Sequence, residues 1–457
     1  MEQIDQKKAT QLVREASSLS MEEIRGLQNR RLRELVSYAR EHSPYLKEKY
    51  KNLPTDFALA DIPISTRPEM VEHFDEWMCD PQVTSGGIED YLSDRDNLFR
   101  QYLGKYGIVT TSGTTAAPLR IVRDARHLAI HGALMGERYF HGSLLKDVEG
   151  IDEPFMKSCA IIPDTGFHSS YISFLRTRKA YEEHGMADRT LLLSIFTPMQ
   201  EMVANLNEFQ PDMIGCYPSV IRALAYEQKE GRLHIRPRYI GCSAEKLEES
   251  DRKFVSEAFG CPVNDNYCST EGGEVAMLCD HGHLHVNSDW IIVEPIDEQG
   301  NPVPDGTPSD GVLVTNMANL VQPVIRYRMS DTLTMYGEPC GCGFPFPYVE
   351  MNGRSEEVFK FRTKEHTARI AASVPYVATL DVPGCKSTQM IQKASDELEL
   401  RVQALDGFDQ ETVESEMLQK IKTIMDEAGL SGVRINIVEG APLRTKGGKV
   451  RFGYKDF

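Results

Sequence analysis

The chain of 457 residues lacks any apolar run long enough to cross a membrane. Its longest apolar stretches, such as TLLLSIF at 190–196, are far shorter than the roughly 20 residues that a membrane helix requires. The first twenty residues, MEQIDQKKATQLVREASSLS, are polar and contain no apolar core of a leader peptide. We therefore expect a cytoplasmic protein with no membrane partner.

The chain also lacks a basic excess and a dense set of cysteines. It has 68 acidic against 51 basic residues and a formal net charge of -17, so charge neutralisation of a nucleic-acid backbone is not expected. Ten cysteines are too few for a disulfide scaffold in a chain of this length, and most stand singly in apolar contexts such as SCAIIP. The overall usage, 41% hydrophobic and 26% charged, is ordinary for a globular protein.

The order of apolar patterns predicts an α/β fold. Residues 7–52 have helical periodicity with a Ser-x-x-Glu capping signal, and the middle of the chain alternates short apolar strands with helical stretches. That alternation is typical of a parallel sheet covered by helices. After about residue 280 the helices give way to strand and turn signals, which predict a β-rich subdomain over about 274–352.

The last hundred residues form a separate pattern of strand, helix and strand. ELELRVQAL, TVESEMLQKIKTIMDEAG and VRINIVEG carry it, and the total is within the usual size range of a small domain. We therefore predict a large N-terminal domain over 1–353 and a small, mobile α+β lid over 354–457.

The stretch TTSGTTAAPLR at 110–120 is rich in hydroxyl groups, but it lacks the second glycine and the lysine of a Walker loop. A predicted strand precedes it, and an extended piece follows it in place of a helix. Such a strand-loop-strand unit suits a flap that donates hydrogen bonds to the β and γ phosphates of ATP. A solvated hairpin turn is the alternative.

Further motifs follow in order along the chain. DNYCSTEGG places Tyr267, Thr270 and Glu271 directly after a predicted strand, and PVIRYRMSDTL places Asp331 after a basic strand. NGRSEEVFKF places Arg354 at the domain boundary, and LRTKGGKVRFGY contains a lysine behind two glycines. With these motifs the chain resembles the acyl-adenylate-forming superfamily, and specifically its phenylacetate–CoA ligase-like branch, over nearly its whole length.

The resemblance implies a ligase reaction in which a carboxylic acid attacks the α-phosphorus of ATP, releases pyrophosphate and then passes its acyl group to coenzyme A. Lys449 would supply positive charge to the reacting carboxylate, Thr270 would bind the α-phosphate, and Glu271 would hold Mg²⁺. Asp331 would accept both ribose hydroxyls. The implied nucleotide-binding residues are Thr111, Ser112, Gly113, Thr114, Thr115, Ser243, Ala244, Glu245, Asn266, Tyr267, Cys268, Ser269, Asp331 and Arg354.

Other features of the chain depart from this family or extend the resemblance. Glu356 would be the hinge residue of the lid, although the family usually shows aspartates there. In the phosphate loop, Ala116 replaces a glycine and Leu119 stands where a lysine is frequent, which predicts a stiffer flap. The acid would lie in a flat apolar slot of aryl size, for which the candidate residues are Phe167, His168, Tyr217 and Pro218.

A group of cysteine and histidine residues in the β-rich subdomain predicts a structural zinc site. Cys279 and His285 have C-x5-H spacing, and Cys340 and Cys342 follow as C-x-C, which gives four ligands of the kind that Zn²⁺ prefers. His281 and His283 are rival ligands to His285.

Two alternatives to the CoA ligase stay open from the sequence. One is an adenylate-forming synthetase with an acceptor other than CoA, and the other is a nucleotide-binding protein that has lost turnover. The partners that the resemblance implies are a small aromatic carboxylic acid, ATP and CoA, with a homodimer left open.

Overall fold

The computed structural model describes residues 4–456, except for 112–118, 141, 143, 152, 165, 339, 355–357, 363–366, 372–381, 428 and 444–452. Within this described part, no helix combines the length and the apolar character needed to cross a lipid bilayer.

The N-terminal region consists of short helices. They are α1 (Gln6–Ala16), α2 (Met21–His42), α3 (Pro44–Lys49), α4 (Arg67–Glu72), α5 (Phe74–Trp77) and α6 (Ser85–Ser93). The predicted capping signal is confirmed, because the Ser20 amide donates to Glu23 Oε2 at 2.8 Å and the Glu23 amide donates to Ser20 Oγ at 3.3 Å. The predicted helical character of residues 7–52 is confirmed. The segment forms three helices, with breaks before Met21 and at Ser43.

A β-hairpin and a helix follow. Strands β1 (Gly107–Thr110) and β2 (Arg120–Arg123) are antiparallel, so the strand-loop-strand prediction for this segment is confirmed. Helix α7 (Ala125–Leu134) begins directly after β2 and continues into a π-helical turn, Met135–Phe140.

The centre of the molecule is a nine-stranded sheet whose first half is parallel. Its strands are β3 (Ser158–Ile162), β4 (Thr190–Ser194), β5 (Met213–Cys216), β6 (Tyr239–Cys242) and β7 (Val263–Ser269), in the spatial order β4-β3-β5-β6-β7. The connecting helices are α8 (Ser169–Glu183), α9 (Met199–Phe209), α10 (Pro218–Lys229) and α11 (Glu249–Phe259). The predicted α/β fold with helix-flanked sheets is therefore confirmed.

The second half of the same sheet is antiparallel and belongs to the β-rich region. The strands of the β-rich region, which belong to two sheets, are β8 (Gly273–Leu278), β9 (Leu284–Val286), β10 (Ile291–Ile296), β11 (Gly311–Asn316), β12 (Val324–Met329), β13 (Asp331–Tyr336) and β14 (Tyr348–Arg354). The large sheet continues from β7 as β8-β9-β14-β13, and β10-β11-β12 form a separate three-stranded sheet. The sheet thus changes from parallel to antiparallel at the turn between β7 and β8.

The C-terminal region has its own sheet and core. Its elements are β15 (Val358–Arg362), β16 (Thr367–Ala371), β17 (Cys385–Ala394), β18 (Glu397–Ala404), α12 (Gln410–Glu427), β19 (Arg434–Ile437) and β20 (Gly453–Lys455). Strands β19-β18-β17-β20 form a sheet against which α12 packs. The buried side chains of Phe359, Phe361 and Met417 form a cluster with others of this region alone. The division of the chain after residue 353 stays a prediction.

Candidate active site

Four loops lie at the carboxyl ends of adjacent parallel strands. The strands are in register, with Ile161 opposite Cys216, Cys216 opposite Cys242 and Cys242 opposite Asp265. The loops that follow them contain the predicted residues Phe167, His168, Tyr217, Pro218, Ser243, Ala244, Glu245, Thr270 and Glu271. Ligands of open α/β sheets bind at this edge, so the structure brings these residues to one candidate site.

The turn that carries Thr270 and Glu271 is fixed from beneath by side chains of distant segments. Arg123 donates to the Thr270 carbonyl at 3.1 Å, and Asn316 donates to the Gly272 carbonyl at 3.1 Å. Within the turn, the Gly272 amide donates to Ser269 Oγ at 2.7 Å. The turn is therefore held in one shape before any ligand arrives.

One sequence expectation about this segment is wrong. Tyr267 does not follow the strand; it lies inside β7, which extends to Ser269. The chain then reverses into β8, with Ser269 paired to Gly273. The strand is longer than expected because its last residues include the polar Asn266 and Ser269, so they lack the apolar pattern by which a strand is recognised.

Asp331 is held by two neighbours. Tyr267 Oη donates to Asp331 Oδ2 at 3.0 Å, and Arg354 Nε lies 3.5 Å from Asp331 Oδ1. Asp331 and Arg354 are also register partners at the end of the β13–β14 ladder. The carboxylate is 13% exposed, and the arginine side chain is 42% exposed, so both can reach a ligand from the solvent side.

Glu271 is half-buried and lies near a second carboxylate, that of Asp331. Burial raises its pKa, and the negative charge of Asp331 adds to the rise, while Arg354 and Arg67 act in the opposite direction. The Tyr327 hydroxyl also interacts with the Glu271 carboxylate. A half-buried glutamate beside a second carboxylate fits a divalent cation, because the cation would supply the missing charge.

The base of the phosphate loop is described, although its tip is not. The Thr111 amide donates to the Leu119 carbonyl at 2.9 Å, and the Leu119 amide donates to Thr111 Oγ1 at 2.9 Å. The Thr110 amide donates to the Phe167 carbonyl at 2.9 Å, which ties the hairpin to the loop after β3. Arg120 donates to the Ser85 carbonyl at 3.2 Å, so this contact draws its side chain toward α6.

Several predicted residues lie outside the described residues. They are Ser112, Gly113, Thr114, Thr115, Glu356 and Lys449.

The predicted adenine segment adopts an unusual backbone. Ala244 has a φ of 70°, in the left-handed region that few residues other than glycine adopt. Glu245 Oε2 accepts from the Ser219 amide at 3.0 Å, and the Ser243 amide donates to the Cys216 carbonyl at 3.3 Å. These contacts connect the loop after β6 to the loop after β5.

The predicted acyl residues do not form one apolar cluster. Phe167 is 5% exposed and contacts Tyr91, with ring centroids 5.6 Å apart, while Tyr217 belongs to a different core cluster at the start of α10. Pro218 is the first residue of α10, and His168 precedes α8. Their role in acid binding stays a prediction.

A polar cluster beside the site was missed by sequence reasoning. Asn266 Nδ2 donates to Glu274 Oε2 at 2.7 Å, and His131 Nδ1 lies 3.2 Å from Glu274 Oε1. Asn266 was predicted only as a nucleotide-binding residue. Arg123 and Arg67 were missed as well. The four-residue spacing of His127 and His131, both on α7, was a usable signal for the histidine, whereas neither arginine lies on that helix.

The predicted zinc ligands converge in the β-rich region. His285 Nε2 lies 3.0 Å from Cys340 Sγ and 3.3 Å from Cys342 Sγ, and Cys279 Sγ lies 3.8 Å from Cys340 Sγ. The ligand atoms of all four residues lie within 4.8 Å of one another. A tetrahedral site with Zn–S bonds of about 2.3 Å places its sulfur atoms about 3.8 Å apart, so the donor set fits Zn²⁺.

His285 is the histidine that the structure places in this group. Its Nδ1 donates to the Phe346 carbonyl at 2.7 Å, which leaves Nε2 free to bind a metal. His281 Nδ1 instead contacts the Cys340 carbonyl oxygen at 3.1 Å. The His283 ring packs against the Tyr348 ring, with ring centroids 4.3 Å apart.

Known proteins resemble the chain in sequence and in fold. No protein-family model matches the chain. The chain is 23% identical to a phenylacetate–coenzyme A ligase of Thermus thermophilus over 96% of its own length and 97% of that protein. It is 21% identical to the protein CapK of Staphylococcus aureus over 68% of its length and 63% of that protein.

Among solved structures, 2-hydroxyisobutyryl-CoA ligase in its postadenylation state matches with a TM-score of 0.68 and 19% identity, over 97% of this chain and 91% of that one. The chain therefore has the same fold as 2-hydroxyisobutyryl-CoA ligase and is similar in sequence to phenylacetate–CoA ligase over nearly its whole length.

Proposed function

We propose that this chain is an AMP-forming acid–CoA ligase, which joins a carboxylic acid to ATP with release of pyrophosphate and then transfers the acyl group to coenzyme A. The observation that carries the proposal is the site itself: the Thr270–Glu271 turn and Asp331 are held beside each other at the carboxyl edge of the sheet. The whole-length similarity to a phenylacetate–CoA ligase supports it.

Asp331 would bind the ribose. Its Oδ2 accepts one hydrogen bond from Tyr267, and the carboxylate keeps further lone pairs for two vicinal hydroxyl groups. Arg354, at the end of β14, would orient the carboxylate and contact the ribose from its exposed side.

The turn after β7 would meet the α-phosphate. The Thr270 hydroxyl would donate to a phosphate oxygen, and the contacts from Arg123 and Asn316 keep the turn in place while charge develops. Glu271 would hold Mg²⁺, which when bound neutralises negative charge on the phosphate oxygens. Preorganised donors and cations are the main source of catalysis in reactions at phosphorus.

The C-terminal region would complete the two steps. Lys449 would bring positive charge to the carboxylate and the α-phosphate during adenylation, and Glu356 would be the hinge about which the lid turns for thioester formation. The hydroxyl-rich loop with Ser112, Gly113, Thr114 and Thr115 would close over the β and γ phosphates. These three roles rest on the family resemblance.

Zinc would have a structural role. Cys279, His285, Cys340 and Cys342 would occupy all four positions of a tetrahedral site, which leaves none open for a substrate. The bound ion would join the turn before β9 to the loop after β13.

The acid would be a small aromatic one, with the loops that hold Phe167, His168, Tyr217 and Pro218 around it. The cytoplasmic location and the homodimer also stay predictions.

A pyrophosphate-release assay tests this proposal. The intact protein is incubated with ATP and Mg²⁺ and a panel of aryl, arylacetyl and short aliphatic acids, with and without CoA. We expect release that depends on one of the aromatic acids, and its loss in Lys449→Ala with ATP binding retained in calorimetry. Tight ATP binding without release for any acid would instead support a protein that has lost turnover.

A further inference from the structure

The polar cluster formed by His131, Asn266 and Glu274 lies next to the proposed position of the α-phosphate. The reaction proposed above assigns no role to the buried carboxylate of Glu274. Glu274 is 8% exposed. Its register partner across the β7–β8 ladder is Cys268, two residues before Thr270. Strand residues are spaced about 3.3 Å apart, so Glu274 lies about 7 Å along the ladder from the residue proposed to bind the α-phosphate.

The cluster faces away from the proposed ribose site. Successive side chains of a strand point to opposite faces, and Tyr267 contacts Asp331 whereas its neighbour Asn266 contacts Glu274. The nucleotide would occupy the Asp331 side of β7. A carboxylic acid that attacks the α-phosphorus at Thr270 without overlapping the nucleotide can extend on the other side of β7, where the cluster lies.

The Glu274 carboxylate can accept further hydrogen bonds. Two oxygens offer about four acceptor positions, of which Asn266 uses one, and His131 Nδ1 lies 3.2 Å from the other oxygen. Burial would raise the pKa of Glu274, but the interactions with His131 and Asn266 and the nearby charge of Arg123 outweigh it, and the pKa is lowered. The side chain is therefore an anion with free acceptor positions.

The cluster is open at one end. The His131 side chain is 24% exposed, whereas that of Glu274 is 9% exposed. A ligand group can therefore reach the carboxylate along the histidine. An apolar ring edge placed there would displace water from the Glu274 carboxylate without replacing its hydrogen bonds, which is unfavourable.

We infer that the acid accepted by this chain carries a hydrogen-bond donor, an amino or a hydroxyl group, on the part of its ring that is remote from the carboxylate. Glu274 accepts the hydrogen bond from this substituent, and Asn266 and His131 hold the carboxylate in position. The site thus selects a substituted aromatic acid over an unsubstituted one. This inference rests on the proposed function.

The test compares matched acids on the intact protein. Phenylacetic and benzoic acids are each supplied with a 4-hydrogen, 4-methyl, 4-amino or 4-hydroxyl group, and kcat/KM is measured from pyrophosphate release. The methyl group matches the amino and hydroxyl groups in size but donates no hydrogen bond. We expect the amino or the hydroxyl acid to exceed its methyl counterpart about 100-fold or more, because a site built around a buried polar group rejects analogues that leave it unpaired.

Glu274→Gln supplies the second arm. This variant should reduce the preference for the amino or hydroxyl acid over the methyl acid at least tenfold. The control variant is Glu294→Gln, which changes another buried glutamate, 3.0 Å from Arg326, and should leave the preference unchanged. Equal turnover of methyl and amino or hydroxyl acids by the unmodified protein would overturn the inference, and so would an equal loss for all acids in Glu274→Gln. If no acid releases pyrophosphate, the proposed function itself fails.

Discussion

Tyr267 and Asp331 show how one hydrogen bond can prepare a binding site. The Tyr267 hydroxyl fixes a carboxylate that is only 13% exposed, and it does so from within β7. A sequence motif indicates that both residues belong to the site, but it does not give the direction of this bond. The two residues are 64 positions apart, so only the paired strands bring them together.

Tyr267→Phe should weaken ATP binding about tenfold. The variant removes a hydrogen bond to a charged group, which contributes about 1.5 kcal/mol or more. Calorimetric titration with ATP and Mg²⁺ measures the effect. Tyr336→Phe is the matched control, because its hydroxyl lies 3.1 Å from Glu350 at an exposed position. The same Kd in the two variants would contradict the role given to Tyr267.

Glu271→Gln should abolish turnover and yet stabilise the protein at neutral pH. The folded pKa of Glu271 is raised mainly by burial, so the folded state binds more protons than the unfolded state above the usual glutamate pKa of about 4.5. Stability is therefore lost as the pH rises through the folded pKa, and the neutral glutamine removes that loss.

Thermal unfolding without nucleotide or Mg²⁺, at pH 5 and pH 8, measures this difference. We expect the Tm of Glu271→Gln to exceed that of the unmodified protein by about 1–2 °C at pH 8, with a smaller difference at pH 5. Glu257→Gln changes an exposed residue of α11 and should leave Tm unchanged. A lower Tm for Glu271→Gln at pH 8 would show that its charge is well compensated in the folded protein.

At the scale of elements, most helices and strands follow from the sequence because their apolar residues recur with a clear period. The exceptions have physical causes. The long N-terminal helix is divided because Ser20 and Ser43 cap new helices. Strand β7 extends beyond its apolar part into polar, half-buried residues. The alternation rule detects apolar buried faces, and it cannot detect the part of a strand whose half-buried residues are polar.

The cluster of Cys279, His285, Cys340 and Cys342 connects β9 and the turn before it to the loop before β14, so loss of a metal ion bound there should destabilise the β-rich region. Cys340→Ser removes the sulfur that contacts both His285 and Cys279. We expect elemental analysis to show about one zinc per chain in the unmodified protein and almost none in the variant, with Tm lower by several degrees. Cys261→Ser changes a buried thiol outside the cluster and should keep its zinc. Equal zinc content in all three proteins would contradict the assignment.

At the scale of the whole molecule, the site depends on contacts between distant parts of the chain. Arg123 and Thr270 are 147 residues apart, and Asn316 reaches the same turn from β11. Motif order predicts the active-site residues and the reaction class. It cannot predict the side chains that support them, such as Arg123, or those beside them, such as Glu274, because those residues carry no motif of their own.

The proposed two-step reaction would involve the entire chain, and product analysis tests it most directly. The intact protein is incubated with ATP, Mg²⁺, CoA and an accepted aromatic acid, and all products are quantified by mass spectrometry. We predict AMP, pyrophosphate and the acyl-CoA thioester in equal amounts, with acyl adenylate accumulating when CoA is omitted. Formation of ADP and phosphate, or of an adenylate that CoA does not consume, would contradict an AMP-forming acid–CoA ligase.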